Sequence, residues 1–275
     1  MDGIYAMPER ILAIGDVHGD IERLKRCLRA HGVVNDEYNW IAGDTHLVQL
    51  GDQIDSANRD SSFGEWETAP DLEVILFTDD LDMQAHRVGG RVISLIGNHE
   101  IMNRFEMGEY ISKRSMDASG GPLVRMARFS SGGDIAEILA RRPAIVKIGN
   151  IIFCHAAILP HHLDLIGNDN ECIAIINEMM HRFFRGQPVP QSIFGPLFLN
   201  QEGLLWSRIY SSVDEEELNL IAKAVFKRIG GTNIVVGHTP IDHIVSRAQG
   251  QVWFIDTRLS RSFGENQVQI LEIKI

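Results

Sequence analysis

Asp, His and Asn recur in five short segments of this chain: Gly15-Asp16-Val17-His18-Gly19, Gly51-Asp52-Gln53-Ile54-Asp55, Gly97-Asn98-His99-Glu100, His155 and Gly237-His238-Thr239. Their side chains are hard-to-borderline oxygen and nitrogen ligands that suit Mn, Fe or Zn. Asp16 and His18 stand one residue apart, so in an extended segment both face one ion. Asp52 has two carboxylate oxygens and can bridge two ions, while Asn98, His155 and His238 offer neutral ligands to the second. Two divalent ions ~3.5–4 Å apart clamp a phosphoryl group and bring the pKa of a bound water to about 7, making hydroxide available for in-line attack on phosphorus. His99 carries a ring whose ordinary pKa near 6.5 suits it to protonate the leaving oxygen. Asp55 can fix the tautomer of that ring from behind. Arg59, Arg104 and Arg208 are the candidate cations for gripping phosphate oxygens.

These residues need strands to hold them, and apolar runs stand in front of each segment. Ile11-Leu12-Ala13-Ile14, Leu47-Val48-Gln49-Leu50, Val92-Ile93-Ser94-Leu95-Ile96, Ile151-Ile152-Phe153-Cys154 and Ile234-Val235-Val236 read as buried strands. The candidate ligands therefore fall just past strand ends, where α/β proteins build their sites. Asp20 can cap a helix of about 11 residues with Ile21, Leu24, Cys27 and Leu28 on one face. Residues 32–45 read as an irregular connection and Asn58 to Pro70 as a loop. Further helices are expected over Asp71 to Arg87 (apolar side Leu72, Ile75, Leu76, Met83), Asp134 to Arg141, Asn168 to Phe184 and Asp214 to Ile229. Gly149-Asn150 marks a tight hairpin between Ala144–Ile148 and Ile151–Cys154. Ile244–Arg247, Gln251–Ile255 and Val268–Ile273 read as strands. The pattern fits an α/β fold with two sheets face to face and helices outside, a four-layer α-β-β-α sandwich; pattern alone does not separate this from a doubly wound parallel sheet.

At 275 residues the chain is expected to form a single catalytic domain over 1–275. Its net charge of −11 argues against a nucleic-acid or membrane-surface partner, since both need a basic face. No apolar run approaches the ~18 residues of a membrane span. The three cysteines, Cys27, Cys154 and Cys172, lack CxxC spacing and read as reduced thiols in a cytoplasmic protein.

Taken together, GDVHG, GD..D, GNHE, H and GH resemble the calcineurin-like metallophosphoesterases, and within them the phosphoprotein phosphatases. Gly97 to Asn103 (GNHEIMN) is similar to the GNHEVMN of the Shewanella-like protein phosphatases. So are Gly133-Asp134 to Val146, Leu205-Trp206-Ser207-Arg208, Val236-Gly237-His238-Thr239-Pro240, and Ile255-Asp256 with Ser260-Arg261 and Phe263-Gly264. The resemblance runs from residue 11 to about 264. It implies one ion held by Asp16, His18 and Asp52, and a second held by Asp52, Asn98, His155 and His238. It also implies that His99 is a general acid paired with Asp55. Two departures concern substrate handling. Ser56 stands where the family's GDxxDRG motif has Arg, leaving Arg59 or Arg208 to take its place. His155-Ala156-Ala157 replaces His-Gly-Gly, and Ala lacks the freedom of Gly at φ > 0, so a differently shaped loop is expected.

The expected activity is a metal-dependent phosphomonoesterase, a protein phosphatase acting on phosphoserine, phosphothreonine or phosphotyrosine, or on a small phosphoester. Two alternatives stay open: a nucleotide or dinucleoside polyphosphate hydrolase of the same superfamily, and a weakly active phosphatase-like binding module. Plainer roles compete at some positions. Asp55 could cap a helix, Arg208 could be a structural ion-pair partner, and Asp256 is either a support to the ligands or a strand-end turn. His161-His162, after Pro160, reads as solvated loop, and His243 as a surface residue on an edge strand.

Overall fold

The computed structural model describes residues 3–56, 69–264 and 268–274. Two sheets face each other. The smaller runs in the order β10 (Leu271–Lys274), β2 (Arg10–Ile14), β3 (His46–Gln49), β4 (Arg91–Ser94). Its β2, β3 and β4 are parallel, with β10 antiparallel on the edge. The larger runs β1 (Ile4–Tyr5), β5 (Ile145–Ile148), β6 (Ile151–Cys154), β7 (Asn233–Val236), β9 (Val252–Phe254), β8 (Val245–Arg247). Within it β6, β7 and β9 are parallel.

The continuous apolar runs follow from burial on both strand faces. Ile11, Ala13, Val48, Leu50, Ile93 and Leu95 of the smaller sheet meet Val146, Ile148, Phe153 and Val235 of the larger in one core. The alternate residues face outward under helices. Leu12, Ile14, Leu47 and Val92 pack beneath α1 (Ile21–Ala30), while Ile145, Ile152, Cys154, Ile234 and Val236 pack beneath α8 (Cys172–Phe184) and α9 (Glu215–Ile229). The result is the expected four-layer sandwich.

Most expected elements are present. Asp20 caps α1, accepting from the Arg23 N–H at 3.2 Å, and Asp214 caps α9, accepting from the Glu217 N–H at 2.9 Å. Gly149, at φ 56°, turns the β5–β6 hairpin. Three readings shift. α2 (Leu72–His86) buries Leu72 and Ile75 in the core beneath the larger sheet's helices and Val74, Leu81 and Ala85 in the core beneath α1. Buried on two sides, it leaves Leu76 and Met83 in solvent. No element is expected between Gly97 and Gly133, yet this segment forms α3 (Asn98–Arg104), α4 (Lys113–Ala118) and α5 (Pro122–Phe129), followed by the expected α6 (Asp134–Leu139). His161-His162 belongs to α7 (Pro160–Ile166), and His162 is buried. Its Nδ1 accepts from the Leu159 N–H at 3.1 Å and its Nε2–H donates to the Glu202 carbonyl at 2.8 Å.

Candidate metal centre

The five segments converge where the C-terminal ends of parallel strands from both sheets meet. The turn after β2 does not stay extended. His18 sits at φ 45°, and the Val17 and His18 N–H groups both donate to the Asp52 carbonyl at 3.0 Å. This kink, rather than strand alternation, brings His18 Nε2 to 3.9 Å from Asp16 Oδ2. Asp52 (φ 50°), Asp55 (φ 65°) and His238 (φ 62°) are also left-handed. Asp and His tolerate that region better than most residues, but such strain concentrates at functional sites. Gly97 and Gly237 permit the close approach. A Cβ on Gly97 would run into the Asp52 N and Oδ1 atoms, and one on Gly237 into Asp16 Oδ1.

Asp52 is the centre of the arrangement. Its Oδ1 accepts from the His99 N–H at 3.0 Å, and its Oδ2 lies 3.3 Å from His155 Nε2 and 3.8 Å from His99 Nε2. Two trios of donor atoms share it: His18, Asp52 and His99, and Asp52, His155 and His238, with the atoms of each within 4.8 Å of one another. The first trio contains His99 where the sequence reading placed Asp16. Asp16 lies at the margin, accepting the His238 N–H through Oδ1 at 3.1 Å and facing His18 with Oδ2. Asn98 Oδ1 lies 2.9 Å from His155 Nε2, which puts it beside the second trio. Glu100, buried in the first turn of α3, accepts the N–H groups of Gly97, Asp52 and Gln53 at 2.7, 3.0 and 2.8 Å, and so locks the second and third segments together.

The donor chemistry fits a pair of cations. The His155 Nδ1 faces the Leu50 carbonyl at 2.7 Å and the His238 Nε2 faces the Trp206 carbonyl at 3.0 Å, which leaves one nitrogen of each ring for a ligand. Burial, then His155, pushes His238 down to about 3, so it is neutral, as a ligand must be. Burial and the neighbouring Asp256 push Asp16 well above the usual carboxylate range. Burial alone would lower His155, but Asp52 and Asp16 raise it to about 10. Buried acids that repel one another and draw protons onto a neighbouring imidazole form a site that positive charge stabilises.

A cavity of about 500 Å³ opens over this centre. Asp16, His18, Asp52, Asn98, His99, His238 and Asp256 form its floor, and Met107, Tyr110, Trp206 and Phe263 stand around it. His99 packs edge-on against His18 and Tyr110, with ring centroids 5.0 and 5.1 Å away. Its Nδ1 lies 2.8 Å from Asp55 Oδ2. Among the described residues Arg208 is the only Arg or Lys lining the cavity, brought there by the Leu205-Trp206-Ser207 run. Arg104 is not a lining residue; its guanidinium lies over the Phe183 ring, 5.8 Å from the centroid. Arg59 lies outside the described residues. Asp256 does line the cavity. Ala156 and Ala157 both avoid positive φ, and their N–H groups donate to the Leu204 carbonyl at 3.3 and 3.2 Å, so the loop after His155 closes without glycine.

Sequence reasoning missed what stands behind Asp55. Asn103, one helical turn after His99, donates through Nδ2 to both Asp55 oxygens at 2.9 Å, and Arg125 and Asp71 lie beyond it. Only the spacing of Asn103 from His99 could have signalled this.

The fold and the site define a class, the metallophosphoesterases, hydrolases of phosphoric esters. The family model of the calcineurin-like phosphoesterases matches residues 9–271, and the chain belongs to that family. It is 31% identical over 270 residues to an uncharacterized protein of Schizosaccharomyces pombe, covering 95% of this chain and 76% of that protein. It is 28% identical over 275 residues to Shewanella-like protein phosphatase 1 of Plasmodium berghei, covering 96% and 71%. Its fold superposes on a cold-active protein-tyrosine phosphatase of a psychrophilic Shewanella species with a TM-score of 0.79 at 22% identity, over 100% of this chain and 78% of that one. Among the described residues no helix is long and apolar enough to cross a membrane.

Proposed function

We propose that the chain, as one catalytic domain over 1–275, is a two-metal phosphomonoesterase acting on phosphorylated protein side chains. The observation that carries this is the gathering of Asp16, His18, Asn98, His155 and His238 around Asp52 beneath a cavity that also holds His99, whose Nδ1 is taken up by Asp55. The phosphatase names of its relatives agree with it. Asp16, His18 and Asp52 would hold one ion, and Asp52, Asn98, His155 and His238 the other. Bound there, two divalent ions of the Mn, Fe or Zn kind supply Lewis acidity to the phosphoryl group and to the attacking water.

The chain's own residues do the rest. His99 keeps Nδ1 on Asp55 and turns Nε2 to the cavity, so Nε2 is the atom that delivers a proton to the leaving oxygen. Arg208 offers a planar fork to the phosphoryl oxygens from the cavity wall. Tyr110, Trp206 and Phe263 give the side chain that carries the phosphate an apolar surface to lie against. All three cysteines are buried and free, which agrees with a cytoplasmic setting.

The test is turnover by the purified protein of phosphoserine, phosphothreonine and phosphotyrosine peptides and of dinucleoside polyphosphates, with each divalent metal in turn. Turnover of phosphopeptides that requires metal is expected. Turnover of dinucleotides alone would replace this reading with a nucleotide hydrolase.

A further inference from the structure

Behind the His99–Asp55 pair lies a buried ionic cluster that no metal ligand belongs to. Arg125, on α5, has its side chain 3% exposed. Its Nη1 and Nη2 each meet an Asp71 oxygen at 2.8 Å, its Nε meets Asn103 Oδ1 at 2.9 Å, and its Nη2 lies 3.4 Å from Asp55 Oδ1. Asp71 Oδ2 in turn accepts the Asp55 N–H at 3.0 Å. A guanidinium can only donate, so the Asn103 carbonyl must face Arg125. The Asn103 amide is then left pointing at Asp55, where a carboxylate can only accept, and it meets both oxygens at 2.9 Å. Arg125 thus fixes the amide orientation of Asn103 and, through Asp71, the left-handed backbone of Asp55.

We propose that Arg125 is a positioning residue for the proposed acid, setting the Asp55 carboxylate, and through it the His99 ring, by way of Asn103 and Asp71. This rests on the reading of His99 as the group that protonates the leaving oxygen. The planar fork is what reaches Asp71, Asn103 and Asp55 at once; a lysine ammonium in the same place is a single point charge without that geometry.

The experiment compares kcat for a phosphoserine peptide, whose alkoxide leaving group needs a proton, with kcat for 4-nitrophenyl phosphate, whose leaving group does not. The chain is taken in full with its metal loaded, as wild type, His99→Asn, Arg125→Lys and Asn103→Ala. Asn103→Ala keeps the test open if Arg125→Lys does not fold. We expect His99→Asn, Arg125→Lys and Asn103→Ala each to lose at least ~10-fold more on the peptide than on the aryl ester, with KM and metal content unchanged. In an Asp55→Asn background, adding Arg125→Lys or Asn103→Ala should change that ratio by less than about twofold, because all act on one unit. A merely structural role would lower the folded fraction and slow both substrates equally. If His99→Asn shows the split and neither Arg125→Lys nor Asn103→Ala does, the positioning role is wrong and the acid assignment stands. If His99→Asn itself slows both substrates equally, the acid assignment is wrong and the positioning role goes with it.

Discussion

Replacing Asp52 with Asn keeps the shape of the side chain and removes the charge that both donor trios share. The carbonyl oxygen of Asn can still accept the His99 N–H, now 3.0 Å from Asp52 Oδ1. The amide then occupies the position of Oδ2, 3.3 Å from His155 Nε2 and 3.8 Å from His99 Nε2, and presents hydrogens where each trio has a ligand atom. Each ion thus loses its one shared charged ligand, which should cost more than the roughly ten- to a hundredfold in metal affinity lost when only a partner behind a ligand is removed. Because Asp52 serves both trios, the penalty falls on both ions, whereas a change at His238 touches one. The assay is elemental analysis of the dialysed protein beside kcat on a phosphopeptide. Asp52→Asn should retain less than one equivalent of metal while wild type holds two, and should lose most of its turnover. Full metal content with kcat within about twofold of wild type would refute the shared-carboxylate arrangement.

Arg208→Ala should raise KM for phosphopeptides and weaken inhibition by inorganic phosphate roughly ten- to a hundredfold, with Arg208→Lys recovering part of it; unchanged phosphate inhibition would remove Arg208 from the site. Gly97→Ala should lose activity and about 1–3 kcal/mol of stability, read from denaturant midpoints, because its Cβ meets the Asp52 backbone and carboxylate. His162, on α7 and not among the residues lining the cavity, gives a pH effect on stability. Burial lowers it from 6.5 to about 4, and its Nδ1 can accept the Leu159 N–H only while unprotonated. Its contribution is therefore complete above pH 6.5 and is lost as pH falls toward 4, a change of roughly 3 kcal/mol. His162→Gln should flatten the stability profile over that window, and an unaltered slope would show that His162 does not titrate with unfolding.

The candidate ligand segments were legible because each is written in one place. A buried strand ends, a glycine permits close approach, and the Asp, His or Asn follows at once, so local pattern names both the residue and its position. The same two-sided burial that makes β2 and β7 near-continuous apolar runs also makes them easy to read. What stayed hidden depends on contacts between distant residues or on weak local signals. α3, α4 and α5 are 7, 6 and 8 residues long, with little periodicity to read, whereas the equally short α6 was marked by its start at Asp134 and its stop before Pro143. The left-handed turn at His18 is invisible in a dipeptide that reads as well in an extended chain. His161-His162 reads as solvated loop after Pro160, yet Pro160 opens α7, and one step along that helix carries a side chain from exposed His161 to buried His162.

The cluster behind Asp55 shows the same limit most sharply. Arg125 lies 54 residues from Asp71 and 70 from Asp55, and nothing in the spacing of an Arg, an Asp and an Asn announces that they will meet. Only the packing of α3 against α5 puts Asn103 between Arg125 and Asp55. Residues that contact the reacting groups are constrained by the chemistry they perform, and that constraint fixes their types and local spacing. Residues that hold those groups in place are constrained only by the fold. In this protein the sequence therefore names candidates for the ligands and the acid, while the tertiary structure alone brings Arg125, Asp71 and Asn103 up behind the Asp55 carboxylate that faces His99.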